Sequence, residues 1–243
     1  AARVLWLLWP AWVWFSVMAT GNHYWLDVLA GVLLAVLTGL LPQARVLDVH
    51  NCAIHFMAPN VISMGAATVV VGGLPAARIS DKTFCAADIS SGEPTVLIGG
   101  VTVTFPFNIK GDLAFVKEVQ AAMATLYSTP TGRKIINDIA ASGNTVTIQE
   151  TKDQNGYCTP DDASDAGKPG GSSSVVDWNP TYSDPLDPNQ TPTIVLGHEL
   201  VHAHHNATGT RRDGPHDSYP GQSGSSNRGE ERATVGAGGT SVV

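Results

Sequence analysis

The sequence has little positive charge. Its 243 residues include 14 Lys and Arg against 21 Asp and Glu, which gives a formal net charge of −7. A chain with this balance lacks the basic surface that a general nucleic-acid-binding protein uses to contact phosphates, so we exclude nucleic acid as a partner. Charged residues make up only 14% of the chain, whereas 25 residues are Gly. This composition favours loops and β-structure over helical bundles.

Cysteine is also scarce. The chain has three cysteines: Cys52, Cys85 and Cys158. A number that is both small and odd does not form a disulfide framework. Cys52 and Cys85 could pair in an exported protein or could serve as metal ligands. Composition leaves both alternatives open.

Long hydrophobic runs occur near the amino terminus. Residues 4–19 are apolar apart from one Ser, and residues 28–41 are apolar apart from Thr38. Each run is shorter than the roughly 20 residues that an independent membrane span needs. A signal peptide is the alternative for the first run, but Arg3 gives only a thin positive region and no A-x-A cleavage site follows promptly. We predict membrane-inserted helices, and the start within a hydrophobic run without Met suggests a piece of a longer protein.

Residues 46–104 consist of short β-branched runs punctuated by Gly and Pro. The segment Gly-Ala-Ala-Thr-Val-Val-Val-Gly-Gly at 65–73 is echoed by Gly-Glu-Pro-Thr-Val-Leu-Ile-Gly-Gly at 92–100. This echo predicts a strand-and-turn unit that occurs twice. Because two copies are too few for a solenoid, we predict a small β-module.

Helices and strands alternate in the second half of the chain. Apolar residues recur at three- and four-residue steps from Leu113 to Leu126, which predicts an amphipathic helix with Asp112 as its N-cap. The remaining elements that we predict are a second helix at 133–141, strands at 144–150 and 174–178, a loop over 153–174 and a helix at 193–206.

The pattern His-Glu-Leu-Val-His fills residues 198–202 of the last predicted helix. Histidines four residues apart lie on one helix face, about 5–6 Å apart at Cβ, so His198 and His202 can bind one zinc ion. Glu199 can reach a water molecule that the metal polarises and act as its general base. The alternative is a chance match in a surface helix. The apolar residues that precede the motif and the acidic pair that follows it argue against this alternative.

A catalytic zinc site needs a third protein ligand and one open position. The sequence offers these candidates: His204, His205, His216, Asp213, Asp217, Glu230 and Glu231. His204 and His205 lie on the motif helix, but neither has the spacing to share the metal, and we expect both to be solvated at the helix end. Glu230 and Glu231 begin a new segment after a long loop, which lets that segment return a carboxylate to the metal.

The two-part pattern of residues 198–209 followed by Glu-Glu-Arg-Ala-Thr-Val-Gly at 230–236 resembles the secreted effector zinc metallopeptidases of Gram-negative bacteria. It is also similar to the clostridial neurotoxin light chain. The resemblance spans roughly residues 110–243. It implies that Glu231 is the third zinc ligand and that Glu230 orients a ligand histidine.

The resemblance also implies an Arg and a Tyr beyond the acidic pair, where they steady the oxyanion. No such pair follows in this sequence, which ends at Val243. We therefore expect a peptidase domain that is truncated at its C-terminus. Arg211 or Tyr219 could substitute, although nothing in their spacing favours either.

The segment Pro-Ala-Ala-Arg at 75–78, between the two echoed segments, resembles the signature of the PAAR-repeat domain. The match covers about residues 46–104. Domains of this family form a small β-cone that caps the spike of the type VI secretion needle, often with zinc at the tip. The resemblance implies a spike protein as partner and four candidate tip ligands: His50, Cys52, His55 and Cys85.

Residues 19–31 resemble the last motif of phosphatidic-acid-phosphatase-type membrane enzymes, with His23 as the nucleophile and Asp27 as the residue that orients it. That family also needs a Lys/Arg-rich motif and a Pro-Ser-Gly-His motif upstream, and the sequence contains neither. An isolated His–Asp pair cannot bind and neutralise a phosphate. We therefore interpret residues 1–41 as a membrane segment or a fused remnant.

These observations predict an α+β chain in three parts: an apolar helical segment at 1–44, a PAAR-like β-module at 45–106 and a zincin-like zinc metallopeptidase domain at 107–243. The predicted function is a secreted effector endopeptidase, delivered by a type VI secretion spike, that cleaves a target-cell protein. Residues 4–41 are predicted to contact a membrane. Two alternatives stay open: a structural spike-tip protein with an inactive peptidase-like domain, and a fragment of a lipid-phosphate phosphatase.

Overall fold

The computed structural model of the chain describes residues 42–50, 60–93, 96–153, 156–182 and 190–212. These residues form a mixed α+β structure, which confirms the predicted class. The predicted apolar helices of the first 41 residues lie outside the described ranges. Within those ranges, no helix combines the length and the apolar character needed to cross a membrane.

The first five strands form the β-module. They are β1 (Val49–His50), β2 (Asn60–Val61), β3 (Met64–Val71), β4 (Leu74–Ala76) and β5 (Thr102–Thr104). Strand β1 pairs with β2, and β3 lies between β4 and β5 in an antiparallel sheet. Gly72 and Gly73 connect β3 to β4 with φ values of 55° and 86°. Two consecutive positive φ angles are what a two-residue type I′ hairpin turn requires, so glycine suits both positions.

The described residues of the predicted second strand-and-turn unit do not form a strand. Residues 96–99 are not in a strand, and the second partner of β3 is β5, which begins after Gly100. Gly100 has a φ of 97°, and its carbonyl accepts a hydrogen bond of 2.9 Å from the Arg78 guanidinium. The second Gly-Gly pair therefore ends in a bend that an arginine side chain holds, not in a hairpin turn.

A different repeat is present in the β-module. The segments Arg45–Asp48 and Arg78–Asp81 adopt the same turn, in which the backbone N–H and the guanidinium of the Arg both donate to the carboxylate of the Asp. The third residue of each turn has a positive φ, 69° in the first turn and 71° in the second. The sequence signal for this repeat is the spacing R-x-x-D, which a search for echoed strands does not detect.

The remaining elements form an α/β part. They are β6 (Phe107–Lys110), α1 (Leu113–Ser128), α2 (Pro130–Ser142), β7 (Val146–Glu150), β8 (Tyr157–Pro160), β9 (Ser174–Trp178) and α3 (Pro192–Thr208). The strand order is β6-β7-β9-β8. Strands β6, β7 and β9 are parallel, and β8 is antiparallel to β9 at the edge of the sheet.

Most of these elements agree with the sequence prediction, with three corrections. Strand β6 was not predicted, and its backbone pairs with β7. Strand β8 lies inside the predicted loop 153–174, because its backbone pairs with β9 despite the Asp, Gly and Ser around it. Helix α2 begins earlier than predicted, at Pro130. The Thr129 hydroxyl accepts a hydrogen bond from the Gly132 N–H at 3.0 Å, and a proline is favourable in the first turn of a helix.

The described residues of the β-module and of the α/β part share one hydrophobic core. Buried side chains of the module, including Leu47 and Leu74, belong to the same cluster as Met123 of α1. The Gln120 amide donates to the Leu47 carbonyl at 2.7 Å, and a Cβ atom added at Gly73 would lie 2.6 Å from Cβ of Ala124. The β3–β4 turn and the helix therefore pack at close range.

The predicted boundary at residue 106 falls between two aromatic residues of this core. Phe105 and Phe107 are both fully buried, and their ring centroids lie 6.0 Å apart. Phe105 also contacts Tyr127 of α1, with a centroid distance of 5.1 Å. The division into domains at this residue stays a prediction.

Candidate metal centre

Helix α3 carries the His-Glu-Leu-Val-His motif, and its sequence fixes both of its ends. Thr191 caps the first turn through its side chain, Pro192 occupies the first position, and Gly209 ends the helix with a φ of 68°. The indole N–H of Trp178 donates to the Pro192 carbonyl at 2.8 Å. This bond ties the start of α3 to the end of β9, so the motif helix has a fixed position on the sheet.

The two motif histidines converge. The Nε2 atoms of His198 and His202 lie 3.1 Å apart, and the ring centroids are 4.7 Å apart. Two nitrogens bound to one tetrahedral zinc ion at about 2.0–2.1 Å would lie roughly 3.3–3.4 Å apart. The pair therefore fits a shared metal ion with little movement. The same distance also suits a hydrogen bond from one neutral ring to the other.

The Glu199 side chain is buried, with 6% of the residue exposed. It faces the start of β8: a Cβ atom added at Gly156 would lie 2.8 Å from Cγ and 3.3 Å from Oε1 of Glu199. The carboxylate is thus enclosed between the motif helix and the edge strand. A carboxylate in such a position, adjacent to a histidine pair, has the chemistry of a general base.

Cys158 of β8 lies close to this carboxylate. Burial, together with the negative charge of Glu199, raises the pKa of the Cys158 thiol to about 12. The thiol is therefore neutral near pH 7, and as the protein stands it is neither a nucleophile nor an anionic ligand. The amide of Asn206 donates to its sulfur at 3.5 Å.

His204 and His205 do not lie in solvent at the helix end, as the sequence predicted; both are buried. Helix α2 lies against α3 at His204 and accounts for the burial of this residue. His204 Nε2 lies 3.0 Å from a carboxylate oxygen of Asp138, which also accepts a 2.6 Å bond from Lys134. Burial lowers the pKa of His204, against the opposing effect of Asp138. In the described part of the chain, its Nδ1 is buried without a hydrogen-bond partner.

The structure shows no third metal ligand beside the histidine pair among the residues that it describes. In the described ranges, no group of three or more His, Cys, Asp or Glu side chains is arranged to hold a metal ion. The remaining predicted candidates lie outside these ranges: His216, Asp213, Asp217, Glu230, Glu231 and the possible oxyanion residue Tyr219. The assignment of Glu231 as ligand and of Glu230 as its neighbour stays a prediction.

Two of the four predicted tip ligands of the β-module lie beside one asparagine. His50 pairs with Asn60 across the β1–β2 ladder, and the Asn60 side chain accepts a 3.4 Å hydrogen bond from the Cys85 N–H. Cys52 and His55 lie outside the described residues. The proposed tip zinc and a Cys52–Cys85 pairing both stay predictions.

Sequence reasoning missed two residues that shape the site, Gly156 and Asn206. Asn206 is buried, lies on the Glu199 side of α3, and donates to the Ser174 hydroxyl of β9 at 3.0 Å. Its position seven residues after Glu199 was the available signal, since that spacing keeps two residues on one helix face. Gly156 gave no signal, because its role depends on a strand that the sequence did not predict.

Comparison with known families supports three parts of the sequence interpretation. The PAAR-motif model matches residues 28–91 and 60–106, and the PAP2-superfamily model matches residues 1–41. No curated protein matches the chain. The model of the effector-protein family Peptidase_M91 matches residues 104–238, which is more than half of the chain and includes the whole of α3. The resemblances to a spike-tip module, an effector peptidase and a phosphatase fragment are thereby confirmed, and the chain belongs to the Peptidase_M91 family of effector proteins.

Proposed function

We propose that this chain is a zinc-dependent endopeptidase that acts as a secreted effector on a protein of a target cell. The observation that carries the proposal is the 3.1 Å convergence of His198 and His202 on one helix, with the buried carboxylate of Glu199 between that helix and an edge strand. The match to an effector peptidase family over the same residues supports it.

The residues that would hold the zinc ion are His198 and His202, through their Nε2 atoms, and Glu231. Once bound, zinc supplies the positive charge that makes water acidic enough to lose a proton near neutral pH and that polarises the substrate carbonyl. Glu230 would orient a ligand histidine. A carboxylate as third ligand reduces the net charge of the site and keeps the water nucleophilic.

Glu199 moves the proton in this proposal. Its carboxylate accepts a proton from the attacking water and then donates it to the amine that leaves when the peptide bond breaks. Because the carboxylate is buried, its position relative to the histidines depends on the residues that pack around it. That packing comes from α3 on one side and from Gly156 on the other.

Strand β8 would align the substrate. In the part of the chain that the structure describes, β8 pairs with β9 alone, so its other edge can accept an extended peptide by backbone hydrogen bonds. This edge begins at Tyr157, next to the glycine that contacts Glu199. A peptide that binds there would pass the general base in an extended conformation, as endopeptidase cleavage requires.

Delivery by a type VI secretion spike is the second part of the proposal. The PAAR-motif match covers the β-module, and a spike protein is the partner that this motif implies. The module packs against α1 of the peptidase part, so the two would travel as one unit. Membrane contact through residues 4–41 stays a sequence prediction.

The test is cleavage by the purified 243-residue chain with two equivalents of zinc, enough for the peptidase site and for the predicted tip site. A proteome-derived peptide library serves as substrate, and mass spectrometry detects the new amino termini. We expect cleavage by the wild-type chain, none by Glu199→Gln at unchanged zinc content, and wild-type cleavage by Glu118→Gln, which alters an exposed carboxylate on α1. A wild-type chain that binds zinc and cleaves nothing contradicts the proposal and favours the structural spike-tip alternative.

A further inference from the structure

Gly156 lies where the edge strand meets the general base. A Cβ atom at this position would be 2.8 Å from Cγ of Glu199 and 2.9 Å from Cγ1 of Val195. Carbon atoms in contact are normally separated by about 3.5–4.0 Å. The backbone of residue 156 therefore approaches α3 more closely than any residue with a side chain could.

The need for glycine here is steric and not conformational. The φ of Gly156 is outside the left-handed range in which glycine is favoured, so an alanine could adopt the same backbone. What alanine could not do is keep the Glu199 side chain in its present place.

The strand cannot easily retreat from an added methyl group. Strand β8 is paired with β9 along its whole length, from the residue that follows Gly156, and Cys158 receives a hydrogen bond from Asn206 of α3. Asn206 also donates to Ser174 of β9, which holds helix and sheet together at this level. Val195 and Glu199 are both buried on α3. Because Val195 is β-branched and stiff about χ1, whereas Glu199 has a longer, unbranched side chain, Glu199 is the group with more freedom to turn away.

We propose that Gly156 is a positioning residue for the general base: the absence of a side chain lets β8 press against Glu199 and hold its carboxylate in place. This inference rests on the proposed peptidase function. It predicts that a single methyl group at residue 156 slows proton transfer while metal binding and the fold are kept. A displacement of about 1 Å in a catalytic group can cost on the order of 100-fold in rate.

The experiment compares Gly156→Ala with Gly99→Ala in the full 243-residue chain. Gly99 has no heavy atom within 4 Å of an added Cβ and has a backbone conformation open to alanine, so it is a matched control. Zinc content, thermal midpoint and steady-state cleavage of the best-cleaved library peptide are measured for each variant. We expect kcat of Gly156→Ala to fall by about 10- to 100-fold, KM to stay within about twofold, and zinc content to stay at the wild-type value. Gly99→Ala should match the wild type in all measurements.

An unchanged kcat in folded, zinc-loaded Gly156→Ala overturns the inference, and so does a parallel loss of zinc, which would point to a general structural role. If Gly156→Ala does not fold, the double variant Gly156→Ala with Val195→Ala is used instead. It relieves the close contact with Val195 and keeps the one with Glu199. We expect the double variant to show the low kcat, and a wild-type kcat in it overturns the inference. Failure of the proposed function is distinct, since wild type and Glu199→Gln would then be equally inactive.

Discussion

The close contact between the β3–β4 turn and helix α1 makes a quantitative prediction for Gly73→Ala. Gly73 has a φ of 86°, and an added Cβ would lie 2.6 Å from Cβ of Ala124. The left-handed backbone costs an alanine about 1–2 kcal/mol, and overpacking against the helix adds about 1–3 kcal/mol. We expect Gly73→Ala to lower the free energy of unfolding by roughly 2–5 kcal/mol in total.

Gly143→Ala is the matched control for this prediction. Gly143 has a φ of 80°, and an added Cβ there would have no heavy atom within 4 Å. This variant should show the backbone cost alone, about 1–2 kcal/mol. The difference between the two variants therefore measures how strongly the β-module packs on α1.

The assay is urea denaturation followed by circular dichroism at 222 nm, which reports on helices, including α1, α2 and α3 of the described residues. If the module and the α/β part share one core, the helical transition of Gly73→Ala moves to lower urea, and by more than that of Gly143→Ala. A helical transition that is unchanged in Gly73→Ala but lowered in Gly143→Ala would refute the shared core, because the module would then unfold by itself.

Three further predictions concern the α/β part. Cys158 should resist alkylation by iodoacetamide at pH 8 in the native chain and react once the chain is unfolded, because a thiol with a pKa of about 12 is almost entirely protonated there; equal rates measured by mass spectrometry in both states would contradict this. Burial acts to raise the pKa of Asp138, but hydrogen bonds from Lys134 and His204 outweigh it and lower the pKa below 3.8. The stability that this carboxylate contributes is therefore present at neutral pH and is lost as the pH falls below 3.8. In urea denaturation, Asp138→Asn should be less stable than the wild type by about 1 kcal/mol or less at pH 7, and equally stable at pH 2. His202→Ala should lose zinc, Glu231→Ala should weaken its binding strongly and Glu230→Ala only mildly, by competition with a fluorescent chelator; equal affinities for the two Glu variants would argue against the assigned roles.

The sequence predicted those parts of the site that depend on local periodicity. A spacing of four residues was sufficient to place His198 and His202 together, and the apolar repeat was sufficient to predict α1. Strands β7 and β9 were also predicted, because β-branched residues alternate with polar ones in β7 and lie next to each other in β9. The family resemblances, carried by short motifs, agreed with the matched family models.

The parts that were missed depend on tertiary contacts. Strand β8 has a composition that favours a loop, and only its pairing with β9 makes it a strand. The position of His204 near the end of its helix predicted a solvent-exposed side chain, but α2 covers this residue and supplies Asp138 as its partner. The role of Gly156 could not be predicted, because it follows from the distance between a strand and a helix that are far apart in sequence.

A crystal structure of the zinc-loaded chain, with anomalous data collected at the zinc edge, would show directly which side chains bind the metal. The proposed function predicts an anomalous peak about 2.0–2.1 Å from Nε2 of both His198 and His202. It also predicts a carboxylate oxygen of Glu231 as the third protein ligand, with the Glu199 carboxylate beside the open position. No peak between these two histidines, or a peak there that takes His216 or Asp217 in place of Glu231 as its third ligand, would contradict it.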